Sequence, residues 1–224
     1  VGASVKRLEI GSSLNTVELL HISSLLTAAA RVKNYYEDTT DSLTGYFHAL
    51  EPLTPLNTEI KRCILSEDEI SDDASANLRS IRRQKVLAAE RIHTELNKML
   101  NSSSVRNCLQ DFVITSRSGR YCLPVKAEYK SQVPGMIHDQ SASGNTLFIE
   151  PMSVVTLNNE LKELEGKEQS EIEHILSILS EQASYGVDDL AHNQKTLVLL
   201  DFIFAKAKYA KDIDASKPIF REDG

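Results

Sequence analysis

Leu78, Ile81, Ala88, Ile92, Leu96 and Met99 recur at three- and four-residue steps, and neither Pro nor Gly falls between Asn77 and Cys108. The spacing predicts one amphipathic helix over residues 77–108, capped at its start by Asp73 or Ser75. At 1.5 Å per residue, ~32 residues extend about 48 Å, more than a compact domain accommodates, so a projecting arm is expected. A second helix is predicted over 152–184. Val154, Leu157, Leu161 and Leu164 keep heptad spacing; Ile172, Ile175 and Leu179 resume it one residue out of step. That offset predicts a stutter around Glu168 and Glu171, where Gly166 also weakens the helix by roughly 1 kcal/mol relative to Ala. The pattern fades at Tyr185-Gly186. Between the two helices the period changes. Phe112-Val113-Ile114-Thr115 is β-prone, Arg117-Ser118-Gly119 is a turn signal, and Arg120 to Val125 returns as a second strand. Pro124 lacks a backbone donor and places its strand at an edge or bulge. Gly135–His138 and Thr146–Ile149 flank the loop Ser141-Ala142-Ser143-Gly144-Asn145, in which Gly144 and Asn145 suit positive φ. Residues 112–151 therefore read as a small antiparallel β-unit.

Elsewhere the pattern is helical. Leu14, Val17, Leu20, Leu25 and Ala28 recur near helical spacing up to a polar stop at residues 37–41, and Pro52 and Pro55 mark a connection. The acidic stretch of Glu67-Asp68-Glu69 and Asp72-Asp73 lacks the spacing and glycine of a calcium loop and reads as a solvated loop. A last helix, about 188–209, is apolar through Leu197–Leu200 and Phe202–Phe204, so burial over most of its face is expected. The fold class is mainly α: a helical core from residues 1–75 and 185–224, with an inserted arm at 76–184. Two long antiparallel helices form that arm and the β-unit forms its tip.

Charge supports the pairing. Residues 77–108 hold seven Lys/Arg against two Glu, and 152–184 hold two Lys against seven Glu, so the helices carry +5 and −5. Matched opposite charge favours antiparallel neighbours. The whole 224-residue chain is at −7, which argues against a surface coated by nucleic acid. With 41% apolar and 25% charged residues the chain can bury a core. No apolar run reaches the ~20 residues of a membrane span, and no signal peptide opens the chain. Cys63, Cys108 and Cys122 form no CxxC pair and are expected to be packed thiols of a reducing, cytoplasmic compartment. The first residue is Val1, which suggests a piece of a longer polypeptide.

The segments GRYCLPVKAEYKSQVPGMIHDQSASGNTLFIEP (119–151) and LNNELKELEGKEQSEIEHIL (157–176) resemble the bacterial MutS paralogues of the second type, the branch that carries a small MutS-related nuclease domain. Asp73-Ala74-Ser75 through Leu78, Ile81 and Arg82 resemble that family's entry into its clamp. Leu200-Asp201-Phe202 to Pro218-Ile219-Phe220 resemble its exit toward the ATPase domain. The resemblance implies a core (lever) domain at 1–75 and 185–224 and a clamp at 76–184. It implies a homodimeric full-length ATPase that uses ATP and magnesium, with possible endonuclease activity. The partners it implies are branched DNA, in restraining recombination, or rRNA on collided ribosomes. The alternative is a protein-binding coiled-coil scaffold arm without nucleic-acid contact.

No GxxxxGK[ST] phosphate loop occurs in residues 1–224, so no nucleotide site, cofactor or catalytic residue is expected in this segment. Candidate nucleic-acid contacts are Arg117, Arg120, Lys126 and Lys130, each able to release a counterion from a phosphate; an ordinary charged surface is the competing reading. Ser141 and Ser143 can donate hydrogen bonds to a backbone, or can simply build the turn. His138 beside Asp139 has neither nucleophile nor metal partner at ligand spacing, and catalysis there is not expected.

Overall fold

The computed structural model describes residues 1–36 and 42–216. The expected polar stop at 37–41 and the expected exit at 218–220 lie outside them. Two compact units form, Val1–Ala74 with His174–Gly224, and Ser75–Glu173.

The first unit is built from α1 (Gly2–Glu9), α2 (Thr16–Tyr35), α3 (Thr44–His48), α4 (Thr54–Cys63) and a short hairpin of β1 (Ile64–Ser66) and β2 (Glu69–Ile70). Asn15 opens α2 with a full capping box: its side chain accepts from the Glu18 N–H, and Glu18 accepts from the Asn15 N–H. The buried face of α2 is Leu19, Ile22, Leu26 and Ala29. That differs from the expected Val17, Leu20, Leu25 and Ala28, because α2 is apolar on two sides and only the side packed on α4 and on the C-terminal helix is covered. Glu67-Asp68 turns the hairpin, so the acidic stretch is partly ordered rather than plain loop.

In the second unit, Ser75 is the cap of α5 (Ala76–Asn101), its Oγ accepting from the Leu78 N–H at 2.9 Å. The helix ends at Asn101, short of the expected 108. Ser102 takes an extended conformation, and only the single turn α6 (Ser103–Arg106) follows. Its length is therefore about 39 Å. Ser102 and Ser104 hydrogen-bond to one another, their hydroxyls 2.8 Å apart, and such local side-chain bonding competes with helix continuation. Residues 107–114 are irregular. The second long helix, α7 (Val155–Ser184), runs unbroken through the expected stutter. Its seam continues at 161, 164, 168, 171, 175 and 179, with Glu168 and Glu171 standing in the sequence of apolar positions. Each has a partner on α5. Arg82 Nε donates to Glu168 at 2.8 Å, and Lys85 pairs with the same carboxylate. Ser75 and Asn77 donate to Glu171 at 2.7 and 2.6 Å. Further along, Arg91 and Glu160 are 3.9 Å apart. Partners rise on one helix as they fall on the other, so α5 and α7 run antiparallel.

The unit boundary falls at Glu173/His174, inside α7, and not at 184. Beyond it the helix is packed within the first unit, where Ile175, Leu179 and Ala183 are buried and Ser180 Oγ accepts from the Leu14 N–H at 2.8 Å. The last helix, α8 (Val187–Asp212), packs one side on α2, where Leu200 joins Ala29 in a buried cluster. Asn193, fully buried, holds the Glu51 backbone by two hydrogen bonds. The rest of α8 is not covered as expected: Val198, Phe202 and Tyr209 are 65%, 57% and 64% exposed.

Two glycines of the second unit give opposite expectations. Nothing lies within 4 Å of a Cβ built on Gly166, whereas one on Gly135 would stand 2.2 Å from the Glu150 carbonyl oxygen. Gly166→Ala is expected to stabilise the unit by about 1 kcal/mol through helix propensity. Gly135→Ala is expected to destabilise it by about 1–3 kcal/mol through overpacking. Hydrogen-exchange protection of α5 and α7 amides separates the two, and equal effects would contradict this packing.

Candidate nucleic-acid interface

The second unit carries a four-stranded antiparallel sheet in the order β3-β4-β6-β5, with β3 (Thr115–Arg117), β4 (Arg120–Lys126), β5 (Gly135–Gln140) and β6 (Thr146–Pro151). The β3–β4 turn is two residues, Ser118 and Gly119, at φ +52° and +73°. Two left-handed residues in a row match the twist of a tight hairpin. The β-prone residues Phe112 and Val113 stay outside the strand and are exposed. Pro124 lies in β4 opposite Phe148 of β6. Its carbonyl accepts from the Gln110 N–H, on the side where only the single bridge Leu109–Val125 forms. The missing donor thus faces an incomplete ladder, which is the edge-like setting that proline requires.

One sheet face, Leu123, Val125, Leu147 and Ile149, packs with Ile81, Ala88, Ile92 and Leu96 of α5 and Leu161 and Leu164 of α7 in one core. Asn158 of α7, 1% exposed, exchanges two hydrogen bonds of 3.2 Å with the Tyr121 backbone. The β4–β6 pairing ends at Leu123–Ile149, so Tyr121 lies beyond it, and the Asn158 amide serves the Tyr121 N–H and carbonyl there. Nothing in the periodicity singles out Asn158.

The opposite face carries most of the candidate residues, and the structure gives them unequal roles. Glu150 is completely buried, its carboxylate accepting from Arg120 Nη1 at 3.1 Å and meeting His138 Nε2 at 2.5 Å. His138 is the extra residue of a β-bulge between Ile137 and Asp139. Bulges re-aim side chains, and this one turns the imidazole onto Glu150. Arg117 lies over the Phe148 ring at 3.9 Å, with its Nε 3.2 Å from Asp139. Lys126 reaches the Asn107 carbonyl at 3.3 Å and the Tyr129 ring at 5.8 Å. Lys130 is exposed in the 3₁₀ segment 127–132. Two separate sets result, Arg117 with Asp139 and Phe148, and Arg120 and His138 with Glu150; Lys126 and Lys130 belong to neither.

Ser141 Oγ accepts from the Thr146 N–H at 3.0 Å and is 3.3 Å from Ser143 Oγ, so Ser141 works inside the β5–β6 turn. Gly144 has φ +77°, while Asn145 is not among the positive-φ residues. All three cysteines are buried and free. Burial, and after it the nearby Glu150 charge, pushes the Cys122 thiol up to about 11, with Arg117 and Arg120 pulling partly back. Among the described residues no group of three or more His, Cys, Asp or Glu side chains converges as a metal site.

Comparison with known proteins places this architecture. No family model matches. The chain is 58% identical over 224 residues to the endonuclease MutS2 of Lachnospira eligens and 55% identical over 229 residues to that of Agathobacter rectalis. It is 53% identical over 227 residues to that of Lachnoclostridium phytofermentans. It spans only 28–29% of the length of these relatives. A mainly α chain carrying a small antiparallel sheet, with this identity end to end, is a segment of a MutS-type protein. Within that class it belongs to the MutS2 family.

The buried carboxylate makes Arg120 a structural residue first. Arg120→Ala leaves Glu150 short of a partner, and breaking a buried pair costs about 3–5 kcal/mol. The variant is expected to lose exchange protection in β4 and β6 and to open Cys122 to a maleimide. Arg120→Lys recovers part of the loss. Unchanged protection in Arg120→Ala would contradict the role given to Glu150.

Proposed function

We propose that residues 75–173 are the clamp, and residues 1–74 with 174–216 the lever, of a MutS2-type protein, and that the clamp touches nucleic acid through its sheet. Branched DNA and the rRNA of collided ribosomes are the two targets that fit. The observation that carries the reading is the second unit itself. It has its own core, Ser75 is tied to Glu171 at one end of its helix pair, and Tyr121 of the sheet meets His93 and Asn158 further along the pair. ATP hydrolysis with magnesium, dimer formation and the nuclease activity in the relatives' name would reside in the longer polypeptide. Residues 1–224 would transmit and grip.

The phosphate contacts best suited by their setting are Lys130, Lys126 and Arg117. Arg120 is committed to Glu150, and Arg117 would have to exchange Asp139 for phosphate. Few free charges and no base-reading element imply weak binding that follows backbone shape, near the ~10⁻⁴ M end of nonspecific affinity. The protein-scaffold reading draws on Val86 and Leu87, 58% and 52% exposed on α5.

Binding of the chain to branched DNA, linear duplex and ribosomes at two salt concentrations tests the proposal. Replacing Arg117, Lys126 and Lys130 together by Ala, with Arg120 kept, is expected to remove measurable binding. Where binding persists, the log–log salt slope is expected to fall by up to about three. Ser141→Ala with Ser143→Ala is expected to cost less. A triple variant that binds all three ligands as the parent does would move the assignment to a protein-binding arm.

A further inference from the structure

Helix α8 is apolar on two faces, and only one is covered. Leu200 is buried in a cluster with Ala29 of α2 and Leu190 is also buried, while Ala191, Val198, Leu199 and Phe202 line a groove of about 720 Å³ between α8 and α1. Tyr209 and Ile213, 64% and 55% exposed, continue the line beyond the groove. Positions 191, 198, 202, 209 and 213 follow one another at steps of seven and four, which keep to one helix face, so the stripe is about 33 Å long at 1.5 Å per residue. Isolated exposed apolar residues are ordinary, but an aligned stripe of this length is not. A wide apolar helix face is ordinarily buried against another element; among the described residues α1 borders this one along the groove, and Lys206 Nζ lies 4.5 Å from the centre of the Phe202 ring.

We propose that the α1/α8 groove is the seat of an amphipathic helix from the same polypeptide, supplied by the part of the MutS2-type protein outside residues 1–224. A helix is the occupant because a trough between two helices, lined at three- and four-residue steps, is filled by the ridges of a third. The same polypeptide is its source because the relatives are more than three times longer than the stretch matched here. A tethered segment acts at an effective concentration in the millimolar range, which a second copy in solution does not match.

Maleimide labelling of the full-length protein and of the 224-residue chain tests this, with Val198→Cys and Phe202→Cys as reporters. The native thiols are buried, and Tyr185→Cys, at a site 81% exposed, controls for folding and reagent. In the 224-residue chain the reporters are expected to label as fast as the control. In the full-length protein they are expected to label at least about tenfold slower than the control, as for sites reached only by local opening. A photoreactive benzoylphenylalanine at position 202 of full-length protein, isotope-mixed so that cross-links within and between copies differ in mass, identifies the occupant. Cross-links to the same polypeptide outside residues 1–224 are the expected result. Equal labelling in both proteins, or cross-links that join different copies, would overturn the proposal.

Discussion

Glu168 lies between the two long helices of the second unit with its side chain 16% exposed, and Arg82 and Lys85 of α5 both reach it. Burial alone would raise its carboxyl pKa; the hydrogen bonds from Lys85 and Arg82 outweigh that and hold the group below the ordinary carboxylate range. Leu, Ile and Ala dominate the rest of the seam, and apolar contacts tolerate sliding by a turn. A half-buried carboxylate with two cationic partners does not, since a shift would leave charge unpaired in a poorly solvated place. Polar seam positions are the best attested way of fixing register. Ser75 and Asn77 on Glu171 repeat the constraint one turn nearer the root. The placement of the sheet follows, since β4 and β6 share the core that this register aligns.

The sheet applies the same logic at its far face. Glu150 is buried without being enclosed in apolar surroundings, because Arg120 and the bulged His138 satisfy it. A charge network that rigidifies a surface removes those charges from free service to a ligand. That is why four basic residues so close in sequence are unlike one another in the folded chain. It is also why the cost of removing each one must be read as stability before it is read as binding.

Much of this was legible in the sequence. Three- and four-residue spacing located α5 and α7, the period change located the sheet, and Ser118-Gly119 and Gly144 located its turns. The +5 and −5 helices indicated antiparallel partners. What failed did so for identifiable reasons. The stripe of α5 carried past residue 101 because serines break a helix by local hydrogen bonding that apolar spacing does not register. The apparent stutter in α7 came from counting only apolar residues, when the missing seam positions are Glu168 and Glu171. In α2, two apolar sides left the covered one undecided. The four basic candidates were legible as charges but not as free or committed, since their partners Asp139 and Glu150 are distant in sequence and set by a bulge. Asn158 could not be found at all, because its role depends on where the pairing of β4 with β6 stops.

A double-mutant cycle of Lys85→Ala and Glu168→Ala tests most directly whether the polar seam sets the helix pairing. It should be read by hydrogen exchange of the α5 and α7 amides at neutral and at acid pH. A depressed folded pKa contributes stability above the ordinary carboxylate range, and that contribution is lost as pH falls through the folded value. A coupling of about 0.5–3 kcal/mol is therefore expected at neutral pH, vanishing once the carboxyl is protonated. Additive single effects at neutral pH, or a coupling that survives acid unchanged, would contradict it.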